Sequence, residues 1–269
     1  LFLTPAIALW SLTQTFPMEK AMKSYLMLFG LASIFILLTA CGAKQAPVLR
    51  IGTNAEYPPF ESKDGEVYIG VDIDLARKIA EKLDMDFQIV DIEFDNLLPS
   101  LASKTIDLAI SAITITDARK RLVDFSTPYY LANQVIITKA DSPLTLDKPE
   151  DATQFKVGAL NGSTGQIYMT EKFVDTKLMP KDKLFKYPTN LEAITDLLNG
   201  NIDFVIIDDS AAQGFSRTKP ISVVLKIETN ESYGIAMPKG SPLNAKIDAA
   251  LRDLIDSGEV ASILQTHIR

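Results

Sequence analysis

The feature that most constrains this chain is a near-repeat displaced by about ninety-six residues. Leu98, Leu101 and the run Ile106-Asp107-Leu108-Ala109-Ile110 recur as Ile194, Leu197 and Ile202-Asp203-Phe204-Val205-Ile206. In each copy, apolar residues at helical spacing lead straight into a short apolar run, the pattern of an amphipathic helix feeding a buried strand. The displacement is far longer than the roughly 20–50 residues of a solenoid unit, so it points to two similar lobes rather than an array.

The surrounding segments fit an α/β plan. VLRIGT (48–53), a helical face of Leu75, Ala76, Ile79, Ala80 and Leu83, and FQIVDI (87–92) predict a strand-helix-strand unit. A second helix follows, capped by Asp95 or Asn96 with Pro99 tolerated in its first turn, and it leads into a buried strand over 107–113. NQVIITKA (133–140) and ESYGIAMPK (231–239) are extended segments able to carry the chain from one lobe to the other and back. A last helix is expected from the Ser241 cap and Pro242, with Leu243, Ile247, Ala250, Leu251, Leu254 and Ile255 on one face and Gly258 as its stop.

The first forty residues are a separate matter. Lys20 and Lys23 precede the apolar run 26–40, which is too short for a spanning helix of about 20 residues and reads as a cleaved export signal. Residues ahead of Met22 are read as upstream sequence. Leu38-Thr39-Ala40-Cys41-Gly42 resembles the lipobox of bacterial lipoproteins, which implies cleavage before Cys41, lipidation of that cysteine and a periplasmic or cell-surface location. Residues 41–47 then form a short tether. Cys41 is the only cysteine, so no intramolecular disulfide is available. Loss of Glu19, Lys20 and Lys23 with the leader takes the formal charge from −7 to −8, and a chain this acidic is a poor nucleic-acid binder.

The single histidine, His267, lies at the C-terminal end as an expected frayed surface residue, which removes histidine triads and histidine metal sites. Phosphate-loop, dinucleotide and nucleophile-elbow motifs are absent. Neither a metal nor a cofactor is expected.

Ser111-Ala112-Ile113-Thr114-Ile115-Thr116-Asp117-Ala118-Arg119 begins at the carboxyl end of an expected buried strand, where ligands of open α/β sheets bind. Its hydroxyls and guanidinium suit a carboxylate, although Arg119 reads equally well as a surface cation in the run Arg119-Lys120-Arg121. The glycine turn of 157–165 opens a helix whose N–H groups add donors. Asp208 or Asp209 ends the equivalent strand of the second lobe and either meets an ammonium or caps the next helix. Thr53 to Phe60 forms a proline-stiffened loop, from which Tyr57, with Phe94 beyond it, offers a sandwich for a flat or aliphatic side chain.

IGTNAEYPPFE, GVDIDLARKIAEKL, FDNLLPSLASKTIDLAISAITITDARKRLVDFSTPYY, VGALNGSTG and IDFVIIDDSAA together resemble the bacterial periplasmic amino-acid-binding proteins that serve ABC importers, with the basic-amino-acid binders nearest. The resemblance implies a two-lobed periplasmic-binding-protein fold of type II. Residues 48–132 with 233–269 would form one lobe and 133–232 the other, joined by two hinge strands about a ligand cleft. It implies a monomeric, non-enzymatic receptor for an amino acid, arginine first, that hands its ligand to a membrane permease. By position, Arg119, Thr114 and Thr164 would hold the ligand carboxylate. Asp208 and the Ser111 hydroxyl would hold the ammonium, and Tyr57 and Phe94 would flank the side chain. Asn54 stands where the basic-amino-acid binders often carry an aspartate for the distal cation, and Glu56 is expected to substitute. Ala112 replaces a frequent serine. Receptors for glutamine, histidine or lysine, and a dehydratase on the same scaffold with Glu56 as its proton-transfer group, are the alternatives.

Overall fold

The computed structural model describes residues 46–268, so the leader, Cys41 and most of the tether lie outside the described residues. Strand β1 (Val48–Thr53) is the expected one. A small antiparallel meander follows, made of β2 (Glu56–Tyr57), β3 (Glu61–Asp64) and β4 (Val67–Ile69). Helix α1 (Val71–Lys82) buries Leu75, Ala76, Ile79 and Ala80, the face that the 3.6-residue spacing marked. Strand β5 (Asp86–Asp91) and helix α2 (Leu97–Ala102) come next, with Asn96 at the N-cap position but without a side-chain capping bond. Strand β6 (Leu108–Ala109), helix α3 (Asp117–Leu122) and strand β7 (Asp124–Phe125) complete this stretch.

Strand β8 (Tyr130–Lys139) then enters a second sheet, followed by β9 (Val157–Leu160), α4 (Thr164–Met169) and β10 (Leu184–Tyr187). Helix α5 (Asn190–Asn199), β11 (Phe204–Asp208), α6 (Asp209–Ser216) and the long β12 (Ile221–Tyr233) follow. The chain returns to the first sheet as β13 (Ala236–Met237) and ends in α7 (Asn244–Asp256) and α8 (Glu259–His267).

The two five-stranded sheets run β5-β1-β6-β13-β7 and β10-β9-β11-β8-β12. In each, the central strand is the strand of the near-repeat, paired in parallel with its neighbour: β6 with β1, β11 with β9. The repeat is therefore a repeat of topology. The copies differ in length. β11 has β8 beside it for four residue pairs, whereas β6 has only the two-residue β13 as its outer neighbour. The strand expected over 107–113 shrinks accordingly. After Ala109 the chain kinks, with Ala112 at φ 46° and its N–H donated to the Asp72 carboxylate at 2.7 Å.

Two further expectations shift. The last helix begins at Asn244 rather than Pro242, because Ser241 takes up a turn, its carbonyl accepting the Asn244 N–H at 3.1 Å. Gly258, at φ 79°, does end that helix, but α8 follows, and its His267 is tied to Asp74 of α1 at 2.7 Å instead of fraying.

The strands between the sheets form an antiparallel ribbon, with Tyr130, Leu131 and Ala132 opposite Tyr233, Ser232 and Glu231. Its register breaks between Ile227 and Glu231, where the Asn133 side-chain oxygen accepts the Thr229 and Asn230 N–H groups at 3.0 Å each.

Candidate functional site: a cavity at the strand ends of two sheets

Parallel strands carry their loops to one end, and in both sheets the carboxyl ends meet a common cavity of about 420 Å³ including its mouth. From the first sheet it is lined by Asn54 after β1, Phe94 after β5, and Ser111, Ala112 and Thr114 after β6, with Tyr57, Glu61 and Arg119. The second contributes Leu160, Ser163 and Thr164 around the glycine turn, Asn190 opening α5, Gln134 of β8, and Ile206 to Asp208 of β11.

Arg119 is 8% exposed. Thr116 caps α3, its hydroxyl accepting the Arg119 N–H at 3.2 Å, and this fixes the base of the side chain. The guanidinium donates from Nη1 to the Thr114 carbonyl at 2.8 Å and from Nη2 to the Gly162 carbonyl at 3.0 Å, and lies 5.4 Å from the Phe94 ring centroid. Burial lowers its pKa, while the charges of Glu231 and Asp208 oppose that shift. It makes no ion pair within 4.0 Å among the described residues, so a buried cation faces the cavity with donors to spare. The alternative of a surface cation is removed. Gly162, at φ 73°, presents its carbonyl to Arg119, so the glycine turn supplies an acceptor there.

Asp208 stands opposite in charge and equally buried. Gln134 and Tyr233 both donate to its carboxylate, and Tyr57 adds a further hydrogen bond. Burial, with the Glu231 charge behind it, pushes its pKa up to about 7 in spite of those bonds. Asp208 does hold the N-cap position of α6, but its side chain makes no capping bond and turns into the cavity.

Ser111 donates to Glu61 Oε1 at 2.6 Å and accepts the Asn54 N–H at 3.0 Å. Burial and the charge of Asp72 hold Glu61 well above the carboxylate range, and burial raises Asp72 to about 6. Glu61 lines the cavity and Asp72 is hydrogen-bonded behind it, with Tyr129 donating to Asp72 at 3.0 Å.

One expected residue is misplaced. Glu56 is exposed on β2 and lines an outer groove with Lys63 and Asp91, because side chains alternate along a strand and its neighbour Tyr57 takes the inward direction. Glu61, one strand on, is the carboxyl that reaches the cavity. Gln134 and Glu231 were also missed. Gln134 carried a signal, a lone amide in the apolar strand segment 134–137, whereas Glu231 reads as one more surface acid. Yet Glu231 Oε2 accepts from Thr114 at 2.8 Å and Thr164 at 2.6 Å, and Oε1 accepts from Gln134 at 3.0 Å. Tyr57 and Phe94 line the cavity as expected, but each already has a partner, Asp208 and Arg119 respectively.

Residues 49–269 match the model of the bacterial extracellular solute-binding proteins, family 3. The chain belongs to that family. It is 32% identical to the arginine-binding extracellular protein ArtP of Bacillus subtilis, over 90% of this chain and 96% of that one. It is 34% identical to the L-arginine-binding protein of Pseudomonas aeruginosa, over 88% and 94%. Among solved structures, the arginine-, lysine-, histidine-binding protein ArtJ of Geobacillus stearothermophilus superposes with a TM-score of 0.74 at 35% identity, covering 81% of this chain and 94% of that one. The family accounts for the duplicated strand order, and its members work outside the cytoplasm.

Proposed function

We propose that this family 3 solute-binding protein captures a free amino acid, arginine first, and delivers it unchanged to an ABC transporter in the membrane. The observation that carries the reading is the placement of two buried, oppositely charged groups, Arg119 and Asp208, on the wall of one cavity, each brought there by a different sheet. A zwitterion matches that pair end to end, its carboxylate on the guanidinium and its ammonium on the aspartate. Names given to the relatives favour arginine. Asn54 and Glu61 are the polar groups left for the distal cation, in place of Glu56. Glu56, the proton-transfer group of the dehydratase alternative, lies outside the cavity, which favours a binder over an enzyme. The lobes, 48–132 with 233–269 and 133–232, would close about the ribbon of β8 and β12. The protein acts as a monomer and takes no nucleic acid.

A thermal-shift panel of the twenty amino acids and ornithine tests the reading. Arginine at a hundredfold excess over its Kd should add about 2.7 kcal/mol of stability and give the largest rise in Tm. A larger rise with glutamine, histidine or lysine reassigns the ligand, and no rise with any of them refutes the proposal.

Asp208 makes binding depend on pH. A ligand ammonium pairs with its charged form, so capture expels a proton, and affinity should rise roughly tenfold between about pH 6 and pH 8. Folding has the opposite sign. With its pKa raised from 3.8 to about 7, this carboxyl supports stability below the lower value and withdraws that support as pH climbs through the upper one. Calorimetry in buffers of differing ionisation enthalpy reads the proton directly, and proton uptake on binding would contradict the assignment.

We further infer that Cys41 carries the lipid that holds the protein at the membrane. Labelled palmitate should enter the wild type and not Cys41→Ser, and labelling of both would sink the inference.

A further inference from the structure

Thr114 and Thr164 come from different sheets, yet both donate to one carboxylate oxygen, Glu231 Oε2, at 2.8 and 2.6 Å. A hydroxyl has a single proton to give. With both protons committed to Glu231, the two oxygens have only lone pairs left for the cavity that they line, and Thr164 spends one of its own on the Gln134 amide at 3.3 Å. Lone pairs welcome an ammonium and repel a carboxylate. Gln134 fixes the other oxygen of Glu231 at 3.0 Å, and the acid follows directly on the register break of β12, so backbone geometry as well as hydrogen bonding aims it between the sheets. Its charge also reaches Arg119 and Asp208, the groups assigned to the ends of the ligand.

We propose that Glu231 is a specificity-determining residue, an internal carboxylate that competes with the ligand's carboxylate for the hydroxyl protons of Thr114 and Thr164. The inference rests on the amino-acid-binding reading above. A ligand carboxylate drawn in by Arg119 gains the two hydroxyls as donors only when Glu231 gives them up, so each capture exchanges an intramolecular acceptor for an intermolecular one. The exchange lowers the affinity for every α-carboxylate ligand below what Arg119 and the two hydroxyls would otherwise supply. Ligands that lack this carboxylate escape the competition and feel only the charge of Glu231, which acts on Arg119 and Asp208 whichever ligand is bound. Glu231 thus acts through Thr114 and Thr164 as a positioning residue, setting which way their protons point.

Calorimetric titration of the wild type and of Glu231→Gln with arginine and with argininamide, in which a neutral amide replaces the carboxylate, tests the competition. Glu231→Gln should raise the ratio of arginine to argininamide affinity roughly tenfold, the equivalent of about one charge-assisted hydrogen bond, because the change in charge felt by Arg119 and Asp208 is common to both ligands. A ratio that stays the same, or that shifts towards argininamide, would overturn the proposal. Glu231→Ala, which removes the acceptor altogether, is read in the same way should the glutamine variant fail to fold. Wild-type protein that binds no amino acid defeats the transport reading itself. Wild-type binding with an unshifted ratio of arginine to argininamide defeats only the role of Glu231.

Discussion

Arg119→Ala should weaken arginine binding by roughly 3–5 kcal/mol, a hundredfold or more in Kd, because the ligand's carboxylate is then buried with no cation opposite it. The size of the loss follows from the absence of a substitute. Lys120 and Arg121 are next in sequence but exposed, and no other basic side chain lines the cavity among the described residues. Arg119→Lys separates charge from shape. It keeps the cation but loses the planar fork that reaches the carbonyls of Thr114 and Gly162 together, so an intermediate loss is expected. Those two bonds also tie the first sheet's loop to the second sheet's glycine turn, so a melting curve without ligand accompanies each titration. Near-wild-type affinity in Arg119→Ala would remove the guanidinium from the ligand site.

Gly214→Ala should strike closure rather than the site. Gly214 lies in α6, packed on the second sheet, and a Cβ there would stand 2.4 Å from the Pro58 carbonyl oxygen and 2.7 Å from its carbon, on the loop that borders the first. Backbone cannot yield as a side-chain tip does, so the two surfaces must part by a fraction of an ångström or more. Overpacking of this kind costs roughly 1–3 kcal/mol, or about five- to 150-fold in affinity. Alanine is the better helix former by about 1 kcal/mol, which offsets part of that cost. Small-angle scattering with saturating arginine should show the wild type contracting and the variant contracting less. Equal contraction with unchanged affinity would show that the contact is not part of the closed form.

The near-repeat was legible because periodicity survives in one dimension. Leu101 and Ile106, like Leu197 and Ile202, are buried in both copies, and a helix leading into a central parallel strand is all that their spacing needed to specify. Strand lengths were less legible. The strand expected over 107–113 contracts to two residues because its neighbour β13 arrives from over a hundred positions away, and hydrophobicity does not record the length of a partner. The same limit governs the site. Arg119 and Asp208 were readable as candidates from their places after apolar strands, since strand ends are where loops gather. Whether Arg119 faced a cavity or solvent was open until α3, capped by Thr116, was placed against the glycine turn.

The repeated passage from helix to strand and the positions of the charged candidates are therefore properties of the sequence, set by local spacing of apolar and polar residues. Which of the glutamates reach the cavity, or the hydroxyls on its wall, is a property of the tertiary structure alone. Glu56 and Glu61 differ by five positions, and Glu231 is distant from both, yet strand alternation turns the first outward, the meander carries the second inward, and the register break of β12 delivers the third onto Thr114 and Thr164. A side chain's direction depends on the register of strands that meet only when the chain has folded, and no local pattern encodes it.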